Sequence, residues 1–362
     1  MNPKTWIGNL YTMSDTDKTN QLRLAMGTEK PLPFSIPTCD SCSKPAVVQQ
    51  AYSGRVLCGE HLCQMNRKKI SKELRKQLVL KGKGQKTNIF VAISGGKDSA
   101  VLLESLVDIL GKRPDIEITA GCVDEGIEGY RPPSLECARR LCEKLGVKFL
   151  TVPYTELGFL EMDEVARRLP MVTQQNKSAS KMPCAYCGVF RRQGINHLAQ
   201  LANADVIALG HNLDDMAQTV MMNITNGDLE RTIRLAPHTA RPAEGMAPRI
   251  VPLRWIPEQE IHLMAVHKEL EIHHEECPHA QGALRWRTRD IVADLERDSP
   301  GTRHGLLKMA DQIKSMRAQL DEAIGKSSSP MPNPISCPTC GEMTSSTTEC
   351  KACQMKVDLG IV

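Results

Sequence analysis

The chain is 362 residues long and 41% hydrophobic, with 14 cysteines and a formal net charge of +4. That length suggests roughly two domains plus small modules, and the charge is too small to name a partner by itself. No apolar run approaches the about 18 residues of a membrane span, and the polar segment from Met1 to Lys30 lacks the apolar core of a signal peptide. A cytoplasmic protein with no membrane attachment is expected. Its thiols then sit in a reducing compartment, where metal or sulfur chemistry outranks disulfides.

In chain order, residues 1–36 read as a flexible arm. Residues 37–66 hold Cys39-x2-Cys42, fifteen intervening residues, then Cys58-x2-His61. Two tight pairs at that separation can close one tetrahedral site, so a structural zinc is expected, with Cys63 a bystander or alternative ligand. Residues 67–87 read as a basic helical connector: between 67 and 86, nine Lys or Arg stand against a single acid, Glu73. Ile70, Leu74, Leu78 and Leu80 give this stretch one buried side. Its other side is either a solvated face or a contact for an anionic polymer. Aromatic residues make up only 4% of the chain, which argues against base stacking and for backbone and shape contacts.

Residues 88–325 alternate strand and helix. The apolar run Ile89–Ile93 ends in Ser94-Gly95-Gly96-Lys97-Asp98-Ser99, and a helical pattern follows from Ala100 through Leu110. A strand, a glycine loop and a helix start build an anion site. Backbone N–H groups can approach phosphate, the helix N-terminus is positive, and Lys97 adds a cation. The spacing is not the Gly-x4-Gly-Lys-Ser/Thr of a P-loop. Further strands are predicted at Ile116–Val123, Val147–Val152 and Val206–Leu209, with a helix around Ser134–Leu145. A second loop, Gly210-His211-Asn212-Leu213-Asp214-Asp215, leads into a helix through Met222. Repeated βα units predict an α/β fold with a doubly wound parallel sheet. Its ligands sit beyond the C-terminal strand ends, so both loops are candidates for one crevice. Residues 236–258 read as loop, and helices are predicted at Glu260–Leu270 and from about Ala283 to Ile324. A Ser- and Pro-rich linker, 326–336, precedes a C-terminal module, 337–362. There Cys337-x2-Cys340, nine residues and Cys350-x2-Cys353 predict a second structural zinc.

Seven cysteines remain: Cys63, Cys122, Cys137, Cys142, Cys184, Cys187 and Cys277. Cys122, Cys137 and Cys142 fit ordinary core packing. Pro183-Cys184-Ala185-Tyr186-Cys187-Gly188 opens a helix carrying Arg191 and Arg192, a setting that lowers thiol pKa and suits redox or metal work. By itself the pair could exchange disulfides, form half a metal site or carry sulfur.

The Ser94–Ser99 loop resembles that of the PP-loop ATP pyrophosphatases, which activate a carbonyl oxygen by adenylation. Asp124–Arg131, Cys184–Arg192, Gly210–Asp215 and Glu276-Cys277-Pro278 resemble one branch of them, the tRNA 2-thiouridine synthetases with paired zinc modules. The likeness covers about residues 37–355. It implies an ATP-dependent tRNA sulfurtransferase in which ATP, with Mg2+, adenylates uracil O2 and sulfur then displaces AMP. Ala92, Ser94, Gly95, Gly96, Lys97, Asp98, Ser99, Val123 and Gly210 would form the ATP site, with Val123 on the adenine side. Asp98 would position magnesium or the loop, or cap its helix. Cys184, Cys187 and Cys277 would hold a 4Fe-4S cluster, leaving one iron open to hydrosulfide. From the sequence alone Cys277 would be a buried or incidental thiol. Asp215 is the implied functional acid, with a helix cap or salt bridge as the structural alternative. Arg191, where some relatives have lysine, would contact phosphate or the activated base.

The same resemblance implies tRNA as partner, a homodimer, and either sulfide or a thiocarboxylated ubiquitin-like protein as sulfur donor. Arg285, Arg287 and Arg289 read as a second basic cluster, or as a helix face neutralised by Asp290 and Glu296. Asp124–Arg131 and Cys184–Arg192 look closer to the wobble-uridine thiolases than to the T-loop uridine enzyme. PP-loop cytidine thiolases and lysidine synthetases are rivals against which the flanking zinc modules count. An inactive tRNA-binding scaffold is the reading from another class. Neutralising Lys68, Lys69 and Lys72 together is expected to flatten the salt dependence of tRNA binding, by about 0.7–0.9 in log–log slope per phosphate contact. Filter binding over a salt series checks this, and an unchanged slope removes the assignment.

Overall fold

A run as apolar as Ile89–Ile93 must be covered on both faces, as in a parallel sheet. It lies in Thr87–Ala92 (β3), the central strand of a five-stranded parallel sheet. The other strands are Ile116–Asp124 (β4), Lys148–Pro153 (β5), Val206–Ala208 (β6) and Arg249–Ile250 (β7), in the order β5-β4-β3-β6-β7. The computed structural model describes residues 36–238, 240–280, 284–325 and 334–361. The expected arm and linker lie outside these residues, except for Ile36 and 334–336.

Alternation along β3 divides the interior. Ile89, Val91 and Ile93 enter one core with Leu102, Leu106, Leu141 and Met264. Phe90 enters the other with Val165, Phe190 and Ile207. The first core is covered by Lys97–Leu110 (α2), Arg131–Leu145 (α3) and Glu258–His267 (α8). The second is covered by Met162–Gln175 (α4) and Pro183–Leu201 (α5). The chain runs outward from β3 through β4 to β5, then returns to place β6 on the other side of β3. That reversal opens a crevice between the loops after β3 and β6.

The two cysteine-rich modules sit on opposite faces. In the N-terminal one, Val48–Gln49 (β1) pairs with Val56–Leu57 (β2) and leads into Gly59–Gln77 (α1). This helix starts inside the module, so the boundary expected at 66/67 falls within one continuous helix, whose Ile70 and Leu74 reach the first core. In the C-terminal module, Ile335–Ser336 (β8) pairs with Met343–Thr344 (β9) ahead of Lys351–Asp358 (α11), and Cys353 and Met355 join the second core. β8 therefore uses the last residues of the expected linker.

Three elements differ from expectation. Helix α4 lies where the sequence predicts none: Pro170 sits inside a continuous helix whose Met162, Val165, Leu169 and Val172 are buried. Strand β7 has two residues and lies in a proline-rich stretch that otherwise reads as loop. The helical stretch expected from about Ala283 to Ile324 consists of two helices, Leu284–Asp298 (α9) and Thr302–Ala323 (α10), with Gly301 at φ 99° where they part. Both helices pack on Leu213–Thr225 (α6), and α10 also on the short helix Leu229–Ile233 (α7).

At the sheet centre, a methyl group added to Gly121 would stand 2.5 Å from the buried Phe90 ring. Gly121→Ala is therefore expected to cost about 1–3 kcal/mol through overpacking, measurable by urea unfolding. Phe90→Leu in the same chain should recover part of that loss.

Candidate active site

The loop after β3 is shaped by its own side chains. Ser99 Oγ accepts from Ser94 N at 3.1 Å and donates to Gly96 O at 2.9 Å, closing the turn as α2 begins. Its two glycines do different things. Gly95 has φ 85°, and a Cβ there would meet the Ser134 carbonyl oxygen at 2.0 Å, so the α3 contact alone demands glycine. Gly96 is the N-cap of α2, and a Cβ there would meet only Ser94 Oγ, at 3.6 Å. The first amides of α2 thus face open space suited to an anion. Lys97 Nζ lies 2.7 Å from Glu258 Oε1 and 3.2 Å from Asp98 Oδ2. Burial works against the Lys97 charge, but Asp98 and Glu258 outweigh it and raise the pKa.

Two further loops close on this one. A Cβ at Gly210 would sit 3.3 Å from the Asp98 and Ser99 backbone, so its absence allows the close approach of the second loop. Asn212 Nδ2 donates to Asp98 Oδ1 at 2.8 Å and ties the loops together. Burial pushes the Asp98 carboxyl up, opposed by Lys97 and Asn212. Asn212 also caps α6 in a reciprocal box with Asp215, whose Oδ1 pairs with Arg285 at 3.1 Å. Asp214 accepts from the Glu258 amide at 2.8 Å and pairs with Arg303. The third loop arrives through His273, whose backbone N–H donates to Gly95 O at 2.9 Å, four residues before Cys277. This bond carries the Glu276-Cys277 segment onto the nucleotide loop.

Three of the seven leftover thiols, Cys184, Cys187 and Cys277, come near one another beside it. Cys184 and Cys187 lie in the first turns of α5, and Cys184 Sγ approaches the His279 carbonyl at 3.5 Å in the short turn Pro278–Ala280. His279 is itself held by Asp163 at 2.6 Å. Burial raises the Cys277 pKa, and negative charge on either of the other two sulfurs would push it further. The lowered thiol pKa expected at a helix start does not hold for Cys184, where burial and Cys187 push it up. The three sulfurs do not all lie within the 4.8 Å that encloses each of the other two cysteine sets. They are too widely set for a single tetrahedral ion, whose thiolates stand about 3.8 Å apart at a 2.3 Å metal–sulfur bond. Three cysteine thiolates not drawn together on one ion are the donor set of a cluster that places each on a different iron.

One residue links this corner to the nucleotide loop, and sequence reasoning passed over it. Glu125, buried at the end of β4, pairs through Oε2 with Arg131 at 2.6 Å and through Oε1 with Arg191 at 2.7 Å. Arg131 donates to Ser94 O at 3.1 Å and also to the Val123 carbonyl. Arg191 donates to Cys187 Sγ at 3.1 Å. Arg191 thus faces the thiols rather than standing free for phosphate. Val123 is buried with both methyls against Gly194 of α5, so its side chain does not open onto the crevice. The signal for Glu125 was present in the Asp124–Arg131 stretch, but a buried carboxylate shared by two arginines is a tertiary fact.

The two outer sets close as expected from their spacing. Cys39, Cys42, Cys58 and His61, and separately Cys337, Cys340, Cys350 and Cys353, each bring four ligand atoms within 4.8 Å and could hold a metal ion. Cys58 and Cys350 are the N-caps of α1 and α11, which turns the positive end of each helix toward its site. Cys63 stands outside the first set and packs against the core. Among the described residues, no helix is long and apolar enough to cross a membrane. Arg285 is engaged with Asp215 and Thr219, and Glu296 with Arg303, so the neutralisation expected from Glu296 is directed elsewhere.

A parallel sheet with this glycine loop at its switch point defines a PP-loop protein, and a PP-loop domain model matches residues 66–294. Residues 38–63 match the N-terminal LIM domain of 2-thiouridine synthetase TtuA. The tRNA 2-thiolation protein NcsA of Haloferax volcanii is 35% identical over 326 residues, covering 88% of this chain and 97% of that protein. Cytoplasmic tRNA 2-thiolation protein 1 of Chlamydomonas reinhardtii is 36% identical over 265 residues, covering 73% of this chain and 69% of that one. The solved structure of the U34-tRNA thiolase NcsA from Methanococcus maripaludis with its 4Fe-4S cluster superposes with a TM-score of 0.72. It is 30% identical and covers 91% of this chain and 99% of that one. The chain belongs to the tRNA 2-thiolation family of PP-loop proteins.

Removing Glu125 leaves the buried Arg131 guanidinium without its counter-charge. Glu125→Ala is expected to destabilise the chain by about 3–5 kcal/mol, measured by denaturant unfolding, with Glu125→Gln intermediate.

Proposed function

We propose that this chain is an ATP-dependent tRNA uridine 2-thiolase acting at the wobble position. The observation that carries this reading is the junction of nucleotide loop and thiols: Gly95 O on the His273 amide, and Ser94 O joined through Arg131, Glu125 and Arg191 to Cys187. ATP with Mg2+ would lie on Ala92, the Ser94–Ser99 loop and Gly210. Uracil O2 attacks the α-phosphorus and pyrophosphate leaves. Sulfur then attacks C2, and the C2–O2 bond breaks as AMP departs. Lys97 offsets charge on the leaving pyrophosphate, exchanging Glu258 for phosphate as it does so. Asp98 holds Asn212 and Lys97, which supports loop positioning as its part. Asp215 stands at the mouth of the second loop beside Asp98 and would orient the base. Arg191 keeps its proton throughout, so it holds the Cys187 sulfur by charge and not by proton transfer.

Cys184, Cys187 and Cys277 would hold a 4Fe-4S cluster, which when bound supplies an iron without a protein ligand for presenting sulfur. The donor would be sulfide or a thiocarboxylated ubiquitin-like protein. The two outer cysteine sets would each hold a structural zinc. Exposed Met316, Leu320 and Ile324 make an apolar stripe along α10 and its C-cap that supports a homodimer.

Anaerobically purified protein should contain about two zinc and four iron per chain. With tRNA, ATP and sulfide it should form 2-thiouridine at the wobble position, read by mass spectrometry of mapped fragments. Cys277→Ser should lose more than about 100-fold in thiolation while tRNA-dependent pyrophosphate release continues, since only sulfur delivery is removed. Thiolation that survives this change, or pyrophosphate release indifferent to tRNA, would sink the reading.

A further inference from the structure

On the α1 side of the crevice, a pocket of about 520 Å³ is lined by Tyr52, Lys69, Lys72, Glu73, Lys76, Trp255, Gly301 and His304. Its walls come from four separate parts of the chain. The sequence offered few aromatic residues, yet two of them gather here around a histidine. The His304 ring lies 4.6 Å from Tyr52 and 6.2 Å from Trp255, nearly parallel to the latter. Burial lowers the His304 pKa, so it joins the stack as a neutral ring. Tyr52 is fixed by its hydroxyl, which donates to the buried Glu260 carboxylate at 2.6 Å.

The lysines are not equivalent. Lys69 is turned inward, 3.0 Å from the Tyr52 hydroxyl and 3.8 Å from Glu260. Lys76 pairs with Glu73 at 3.0 Å yet keeps most of its side chain in solvent. Lys72 is exposed and has no ion pair or hydrogen bond among the described residues. Lys72 and Lys76 lie one helical turn apart on α1, and both line the pocket. Lys69 lies 5.2 Å from the Tyr52 ring and Arg254 5.3 Å from the Trp255 ring, which leaves Lys72 and Lys76 at the rim. An unstacked nucleotide would meet ring edges and faces with its base and these lysines with its phosphate.

The pocket is wired to the active site. Ile256 O, next to Trp255, accepts from Leu213 N at 3.0 Å, and Arg303, next to His304, pairs with Asp214. An RNA that delivers one base to the crevice would pass this mouth. We infer that the pocket between α1, Trp255 and His304 takes a second, unpaired nucleotide of the RNA substrate. This rests on the tRNA reading above.

The test is tRNA binding by Lys72→Gln/Lys76→Gln over a salt series, with photo-crosslinking of 5-iodouridine-substituted tRNA to the wild-type chain. The double variant should bind roughly fivefold or more weakly, with the log–log salt slope reduced by about 1.4, as for two single-stranded phosphate contacts. ATP binding should not change. Crosslinks should map to Trp255 or Tyr52. Unchanged affinity and slope with no such crosslink would overturn the inference. So would competition of the crosslink by uridine monophosphate as effective as by tRNA, since the pocket would then take a free nucleotide. A wild-type chain that binds no tRNA at all would instead overturn the functional reading.

Discussion

The Glu125 carboxylate is the contact on which the active site depends. An isolated anion at that depth would be costly, and so would an unpaired Arg131. Each is tolerated because the other is present, and the second oxygen of Glu125 then fixes Arg191 as well. The consequence is geometric. Arg131 grips the carbonyl that begins the phosphate loop, and Arg191 grips the sulfur that ends the thiol corner. Two pieces of chemistry carried by different elements are thereby held at a fixed separation. Preorganisation of this kind is what lets an activated base meet its nucleophile before water does.

A second buried carboxylate plays the same part at the periphery. Glu260 of α8 accepts from Gln50 at 2.7 Å, Tyr52 at 2.6 Å and Asn66 at 3.0 Å, so the N-terminal module is bolted to the catalytic core by polar contacts. Leu57, Leu62 and Leu263 add a small apolar patch beside them. The C-terminal module attaches differently: its Cys350, Cys353 and Met355 merge into the second core itself.

Local signals in the sequence carried much of this. The apolar run Ile89–Ile93, the glycine loop and the paired cysteines act over a few residues, and each stands where its spacing placed it. The capping box of Asn212 and Asp215 is one of the two structural readings open for Asp215, and Arg285 adds the other. What escaped depends on partners far along the chain. Glu125 is one acid among many until Arg131 and Arg191 converge on it. β7 is a strand only because β6 pairs with it. The break at Gly301 overrides a helical pattern that continues on both sides. The gathering of Tyr52 and Trp255 around His304 is invisible in composition, because a percentage over 362 residues says nothing about where two rings lie.

Helix α1 joins these themes in one object. Its N-cap is Cys58 of the first cysteine set, its middle passes Glu260 through Asn66, and its far half is embedded in the sheet core through Ile70 and Leu74. It is a beam clamped at both ends, with the Lys72 and Lys76 face mounted along its span. An ion held by the first set would therefore act on more than a local fold: it would set the tilt of that face. Metal supply and the placing of those two lysines would then be one mechanical variable.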